Sequence, residues 1–264
     1  MRYLVPLGFL LASTTCVAAA DFGGPSYDGS LKDGPGITVH NWSGFYVGAH
    51  AGYGWADWSS SVAHPCPKCL PQQHQADAFA GSGDLGGDGW LGGFQVGAAR
   101  QIGPWVLGVE ADVSWPDMSG SHTFRMDYDT DWAVQSSIEL MGTGRVKIGY
   151  SLGRVQVYGT GGVAWAIVDS DMQTVSITGP VVMSELSSST SHVGWTVGAG
   201  MEWAMTDRLS VKADYLYIDL GEEDHDPKGL AYAGTPQQFN HHELMSEDLK
   251  IHTVRVGVNV KLGP

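Results

Sequence analysis

The residues best suited to metal or redox chemistry sit in one short stretch, His64-Pro65-Cys66-Pro67-Lys68-Cys69, with His74 a little further on. Two thiolates and two imidazoles at this spacing, Cys66, Cys69, His64 and His74, can supply four ligands to zinc. In an oxidising compartment Cys66 and Cys69 can instead close a small disulfide, or remain as free thiols. A thioredoxin-like redox pair is disfavoured, because no helical pattern follows to stabilise a thiolate. His241-His242-Glu243 lacks the His-x-x-x-His spacing that aims two imidazoles at one metal. His192, His241, Glu243 and Ser246 are residue types of hydrolytic sites, but no spacing ties them together. The glycine-rich runs at 81–87 and 159–162 match neither phosphate-loop pattern.

The other chemically capable feature is negative charge. The formal net charge is −14, which disfavours nucleic acid as a partner. Glu222, Glu223, Asp224 and Asp226 form an oxygen-rich run that can hold Mg²⁺ or Ca²⁺. Such a cation would bridge the run to an anionic lipopolysaccharide surface; solubility of exposed loops explains the same acidity.

The elements that must position these residues begin with export. Met1-Arg2-Tyr3, an apolar run from Leu4 to Leu11 and the small residues Ala18-Ala19-Ala20 follow the plan of a signal peptide over 1–20, read by the Sec pathway. The run is too short to span a bilayer as a helix. Cys16 is preceded by Ser13-Thr14-Thr15, which is no lipidation signal. Residues 21–42 are then a periplasmic N-terminal segment and 43–264 a single β domain. With 37 glycines and 10 tryptophans and 10 tyrosines, the chain is poor in helical pattern and reads as all-β.

Period-2 alternation predicts eight strands, near 43–58, 88–101, 105–115, 137–150, 154–167, 191–205, 209–220 and 249–262. Tight turns join the second to the third, the fourth to the fifth and the sixth to the seventh. Long segments at 59–87, 116–136, 168–190 and 221–248 make the other connections and carry net charges of −1, −3, −3 and −6. An even strand number with short turns at one end and long loops at the other is the plan of a membrane barrel. The fold class expected is therefore all-β: an eight-stranded antiparallel up-and-down transmembrane β-barrel, with three short periplasmic turns and four long extracellular loops.

The faces support this. One face of each strand is apolar, with aromatics near its ends. The opposite faces carry Glu110, Asp112, Glu139, Arg145, Lys147, Arg154, Glu202, Lys212, Asp214, Arg255 and Lys261. These charges would share a narrow interior, where only a paired, hydrogen-bonded network is tolerated. A soluble barrel would show the reverse pattern.

The segment Trp42-Ser43-Gly44-Phe45-Tyr46-Val47-Gly48-Ala49-His50-Ala51-Gly52-Tyr53-Gly54-Trp55 resembles the opening strand of the small alphaproteobacterial outer-membrane β-barrel proteins, the "porin family" of Gram-negative envelopes. Gly89-Trp90-Leu91-Gly92-Gly93-Phe94-Gln95-Val96-Gly97, Gly108-Val109-Glu110-Ala111-Asp112 and His252-Thr253-Val254-Arg255-Val256-Gly257-Val258-Asn259 are similar to later strands of that family. The resemblance implies an outer-membrane, surface-exposed protein without a cofactor, serving envelope integrity and host contact. Its partners would be outer-membrane lipids, lipopolysaccharide and the barrel-insertion machinery. Two features depart from the family: the ending Lys261-Leu262-Gly263-Pro264 in place of an aromatic residue, and the Cys66/Cys69 loop. A structural role leads; a small-solute porin and a lipid-modifying enzyme are the alternatives.

Overall fold

The computed structural model describes residues 40–63, 80–125, 130–176, 182–225, 228–231, 239–242 and 244–263. Among the described residues eleven strands form one antiparallel sheet: β1 (Gly44–Ala63), β2 (Ala80–Ile102), β3 (Trp105–Pro116), β4 (Ser119–Arg125), β5 (Thr130–Leu152), β6 (Val155–Ser176), β7 (Val182–Ala204), β8 (Leu209–His225), β9 (Lys228–Ala231), β10 (Phe239–His242) and β11 (Leu244–Leu262). β4 continues β3 upward against β5, so the two make one stave. The eight staves are β1, β2, β3 with β4, β5, β6, β7, β8 and β11, and pairing of β1 with β11 closes the ring. The small β9–β10 hairpin pairs with the upper part of β7.

The register fixes the dimensions. Starting at Phe45 and stepping across each ladder leads through Ala98, Val109, Val146, Gly161, Val197, Tyr217 and His252 to Trp55. The circuit closes ten residues up the strand on which it began. Eight strands with that stagger tilt by about 40° and enclose a backbone radius of about 8 Å. An interior that narrow is filled by side chains.

The turns at the lower end follow from local chemistry. Gly103 and Gly153 adopt positive φ (60° and 79°) in the β2–β3 and β5–β6 turns, where a side chain would be strained. At the upper end the staves run well beyond the expected bounds. Much of 59–87, 116–136, 168–190 and 221–248, expected as loop, is strand. The reason is a change of solvent part-way up. On β1, odd-numbered residues from Phe45 to Trp55 point outward and are mostly apolar. Above them Asp57 and Ser59 point outward, while Ala56 and Trp58 are buried inside. β11 does the same: Val254, Val256, Val258 and Val260 face out, whereas Leu249 and Ile251 face in.

The upper lumen thus holds an apolar core of Ala56, Trp58, Leu91, Met118, Ile138, Met141, Leu216, Ile218, Leu220, Leu249, Ile251 and their neighbours. It stabilises the extension as the core of any water-soluble barrel would. Leu249 is fully buried there, so Leu249→Ala should lower the unfolding free energy by about 2–5 kcal/mol. Urea titration of the refolded protein in detergent micelles measures this, with lipid-facing Val260→Ala as the comparison of smaller effect.

Candidate functional site

The lower lumen is the chemically dense part of the molecule. Glu110, Asp112, Glu202 and Asp214 face Arg145, Lys147, Lys212 and Arg255, and all eight are buried. Four acids meet four bases. Adjacent staves supply opposite charges at facing positions, since Glu110 pairs in register with Arg145 and Asp214 with Arg255. Glu110 accepts hydrogen bonds from Arg145 Nη2 (2.6 Å), Lys212 Nζ (2.7 Å) and the Tyr46 hydroxyl (2.8 Å). Asp112 accepts from Arg145 Nη2 (2.7 Å) and Arg255 Nη1 (3.0 Å), and from the Thr143 hydroxyl. Arg255 Nε also donates to Asp214 Oδ1 (2.9 Å), and Lys212 Nζ lies 3.3 Å from Asp214 Oδ2.

Glu202 is the lower anchor. It accepts from Lys147 Nζ (2.7 Å), Gln156 Nε2 (2.8 Å), Ser210 Oγ (2.6 Å) and Asn259 Nδ2 (2.9 Å). Lys147 also lies over the Tyr158 ring, 4.0 Å from its centroid. From Asn259 a neutral chain climbs the lumen: Gln95 Nε2 donates to Asn259 Oδ1 (2.6 Å), and His50 bonds Gln95 Oε1 and Ser114 Oγ, each at 2.8 Å. With the His50 proton assigned to Nδ1, each link of this chain joins a donor to an acceptor. Glycine makes room for the bulky members: a Cβ on Gly97 would lie 2.3 Å from the Tyr46 ring, and one on Gly200 2.7 Å from that of Tyr158.

The segment before β1 covers the lower mouth. Trp42 packs against Val106 and Ala204, and its Nε1 donates to Ser151 Oγ (3.1 Å). His40 meets the Trp42 ring edge-on at 4.6 Å. Partial burial, and then the Lys261 ammonium, hold the His40 imidazole below its ordinary pKa. The remaining cavity at this mouth is about 30 Å³, lined by Trp42, Tyr46, Glu202 and Asn259 among others, which is room for a water molecule or two.

Three of the eleven charges expected in the lumen network lie elsewhere. Glu139 is exposed and points outward, because a β-bulge between Ile138 and Leu140 shifts the alternation of β5 by one residue. Arg154 sits in the β5–β6 turn, 42% exposed and 3.7 Å from Asp207. Lys261 is at the rim of the lower mouth, donating to the Asn41 carbonyl (3.0 Å). Cys66, Cys69, His64 and His74 lie outside the described residues, as do Glu243, Asp226 and the segments read as signal peptide and N-terminal linker up to residue 39. His192 is enclosed in the upper lumen, whereas Ser246 is on the outer face and donates to Glu222 Oε1 (2.7 Å).

The outer surface divides into zones. Phe45, Trp105, Tyr150 and Trp203 form a lower aromatic ring, and Trp55, Trp90, Trp115, Trp165 and Trp195 an upper one. Ten residues of β1 at this tilt separate Phe45 from Trp55, about 25 Å along the axis. That is the height of the lipid-facing band of a membrane barrel. A family model described as "Outer membrane protein beta-barrel domain" matches residues 7–261 of the chain.

The chain belongs to this family. As an outer-membrane β-barrel it places the two rings at the bilayer interfaces, with the charged lumen between them and the apolar core level with the upper ring and above. Its relatives include the "31 kDa outer-membrane immunogenic protein" of Brucella melitensis, 29% identical over 85% of each chain. Another is the "22 kDa outer membrane protein" of Rhizobium leguminosarum, 26% identical over 74% of this chain and 72% of that one. Among solved structures, the outer membrane protein OprG of Pseudomonas aeruginosa aligns at 11% identity with a TM-score of 0.45, covering 85% of this chain and 99% of that one.

Two features of this outer-membrane β-barrel were missed by strict alternation. One is the neutral set His50, Gln95, Asn259, Tyr46 and Tyr158, marked in the sequence only by falling on the charged face. The other is where the acidity lies. Asp57, Asp88, Glu139, Asp169, Asp219, Glu222 and Asp248 are on the staves, and Asp117 at the β3–β4 junction, facing outward just above the upper aromatic ring.

Proposed function

We propose that this protein is a non-conducting, non-enzymatic outer-membrane post, which strengthens the envelope and presents its upper loops to the exterior. The observation that carries the reading is the double closure of the lumen: a charge-balanced polar network below and an apolar core above. A hydrated path must pass that apolar core, where His192, Thr253, Ser136, Ser170 and Glu247 are among the buried polar groups, and wetting its apolar side chains is unfavourable. The Brucella relatives are named as immunogenic proteins, which accords with staves that rise above the upper aromatic ring. An enzymatic reading would need a nucleophile and a base on one surface, whereas His192 and Ser246 lie on opposite faces of the wall.

Planar-bilayer recording tests this directly. Folded protein, verified by heat-modifiable migration on a gel, should add no discrete current steps above baseline across ±100 mV, a range set roughly by physiological potentials. Reproducible steps of uniform size would establish the small-solute porin instead.

A further inference from the structure

The upper aromatic ring differs in character on the face made by β8, β11 and β1. His252 continues the lipid-facing column of Val254, Val256, Val258 and Val260. Between the two rings, apart from Arg100 at the level of the lower one, the other outward residues described are apolar, aromatic or glycine. Three aromatic neighbours hold this imidazole. Trp55 stacks on it with the planes 6° apart and centroids at 5.6 Å. Tyr217 meets it at 5.1 Å, and the Tyr215 hydroxyl is 2.6 Å from its Nδ1. Two residues further up the column stands Lys250, its ammonium 2.6 Å from the Asp248 carboxylate and half-exposed.

A valine at 252 would fill the same lipid-facing volume, so packing alone gives no reason for an imidazole here. The level does. It is continuous with the lipid-facing band and lies where outer-leaflet headgroups meet the protein, and there a long lysine side chain can extend its charge to the headgroup plane. An ammonium, an imidazole and phenol hydroxyls complement a phosphate ester, with charge-assisted hydrogen bonds. The partly exposed faces of Trp55 and Tyr215 (39% and 40%) offer flat apolar surface to the C–H face of a sugar ring.

We propose that a phosphorylated glycolipid of the outer leaflet docks on this face, its phosphate on Lys250 and His252 and a sugar ring against Trp55. The acyl chains then run down the valine column of β11. Lys250, flanked in register by Asp57 and Asp219, exchanges the Asp248 carboxylate for the phosphate, one anion for another. The aromatic platform selects a sugar over a glycerol headgroup. This inference rests on the outer-membrane placement and not on the state of the lumen, so a conducting barrel would leave it standing.

The full-length protein in detergent, observed by native mass spectrometry, provides the test. The probes are a bisphosphorylated glucosamine-disaccharide lipid, its dephosphorylated form and phosphatidylglycerol. Wild type should bind the phosphorylated glycolipid about tenfold more tightly than either comparison lipid, the effect of one charge-assisted contact. Lys250→Ala with His252→Val should remove that preference. Trp55→Leu should weaken both sugar lipids and leave phosphatidylglycerol unchanged. Lower-rim Val260→Ala should change none of them, and heat-modifiability confirms that each variant is folded. Equal affinity for phosphatidylglycerol, equal affinity for the dephosphorylated lipid, or an unchanged preference in the folded double variant would each overturn the proposal.

Discussion

Arg255→Met should lower the unfolding free energy by about 3–5 kcal/mol, the cost of removing one partner from a buried ion pair. Arg255 is fully buried and donates to both Asp112 (3.0 Å) and Asp214 (2.9 Å). Methionine fills a similar volume, so the loss is electrostatic rather than a cavity. It leaves the four lower-lumen carboxylates facing three bases. Asp214 then keeps Lys212, and Asp112 keeps Arg145. Adding Asp214→Asn restores the balance at three against three and should recover part of the loss, because groups in one network do not act additively. Urea midpoints of the single and double variants, refolded in the same lipid, measure both effects. A wild-type midpoint for Arg255→Met would mean that water penetrates the lower lumen and solvates the carboxylates.

The second large effect concerns the outer surface. Val256 faces outward near mid-height of the lipid band, so Val256→Arg should cost about 2–4 kcal/mol by placing a charge in hydrocarbon. Ser189→Arg is the same kind of change on the outward face of β7, above the upper aromatic ring. It should be close to neutral, within about 0.5 kcal/mol, as for most surface substitutions. Refolding yield and urea midpoint in lipid vesicles separate the two. Equal costs would place the bilayer boundary somewhere other than at the upper ring.

Much of this was legible before any coordinates. The eight membrane-spanning strands, their short lower turns and eight of the lumen charges follow from apolar residues alternating with charged ones. What alternation could not carry was any change of phase. Glu139 shares parity with Arg145 and Lys147 and reads as a lumen residue. Nothing in its neighbours marks the bulge that turns it outward. The upper extension reads as loop in the sequence because its apolar residues switch parity: odd from Leu209 to Tyr217 on β8, then even at Leu216, Ile218 and Leu220. The same slip occurs on β1, before Ala56 and Trp58, and on β11, before Ile251 and Leu249. Each slip marks the height at which the outer solvent changes from lipid to water, and a search for paired phases would have found it. The neutral network was hidden for another reason. Gln95 and Asn259 are ordinary polar residues until the register brings them within 2.6 Å of each other.

The reversal of inside and outside has a mechanical consequence. Sliding the barrel inward by one pleat, about 5 Å along the axis, would draw outward carboxylates such as Asp88 and Asp117 into hydrocarbon. Sliding it outward by the same distance would lift the upper tryptophans into water and pull the polar lower turns into the bilayer. Both displacements are opposed, so the wall carries its own waterline. The altitude of the surface loops is therefore set by the staves beneath them, and those loops can change in sequence and length without altering how high the protein rides.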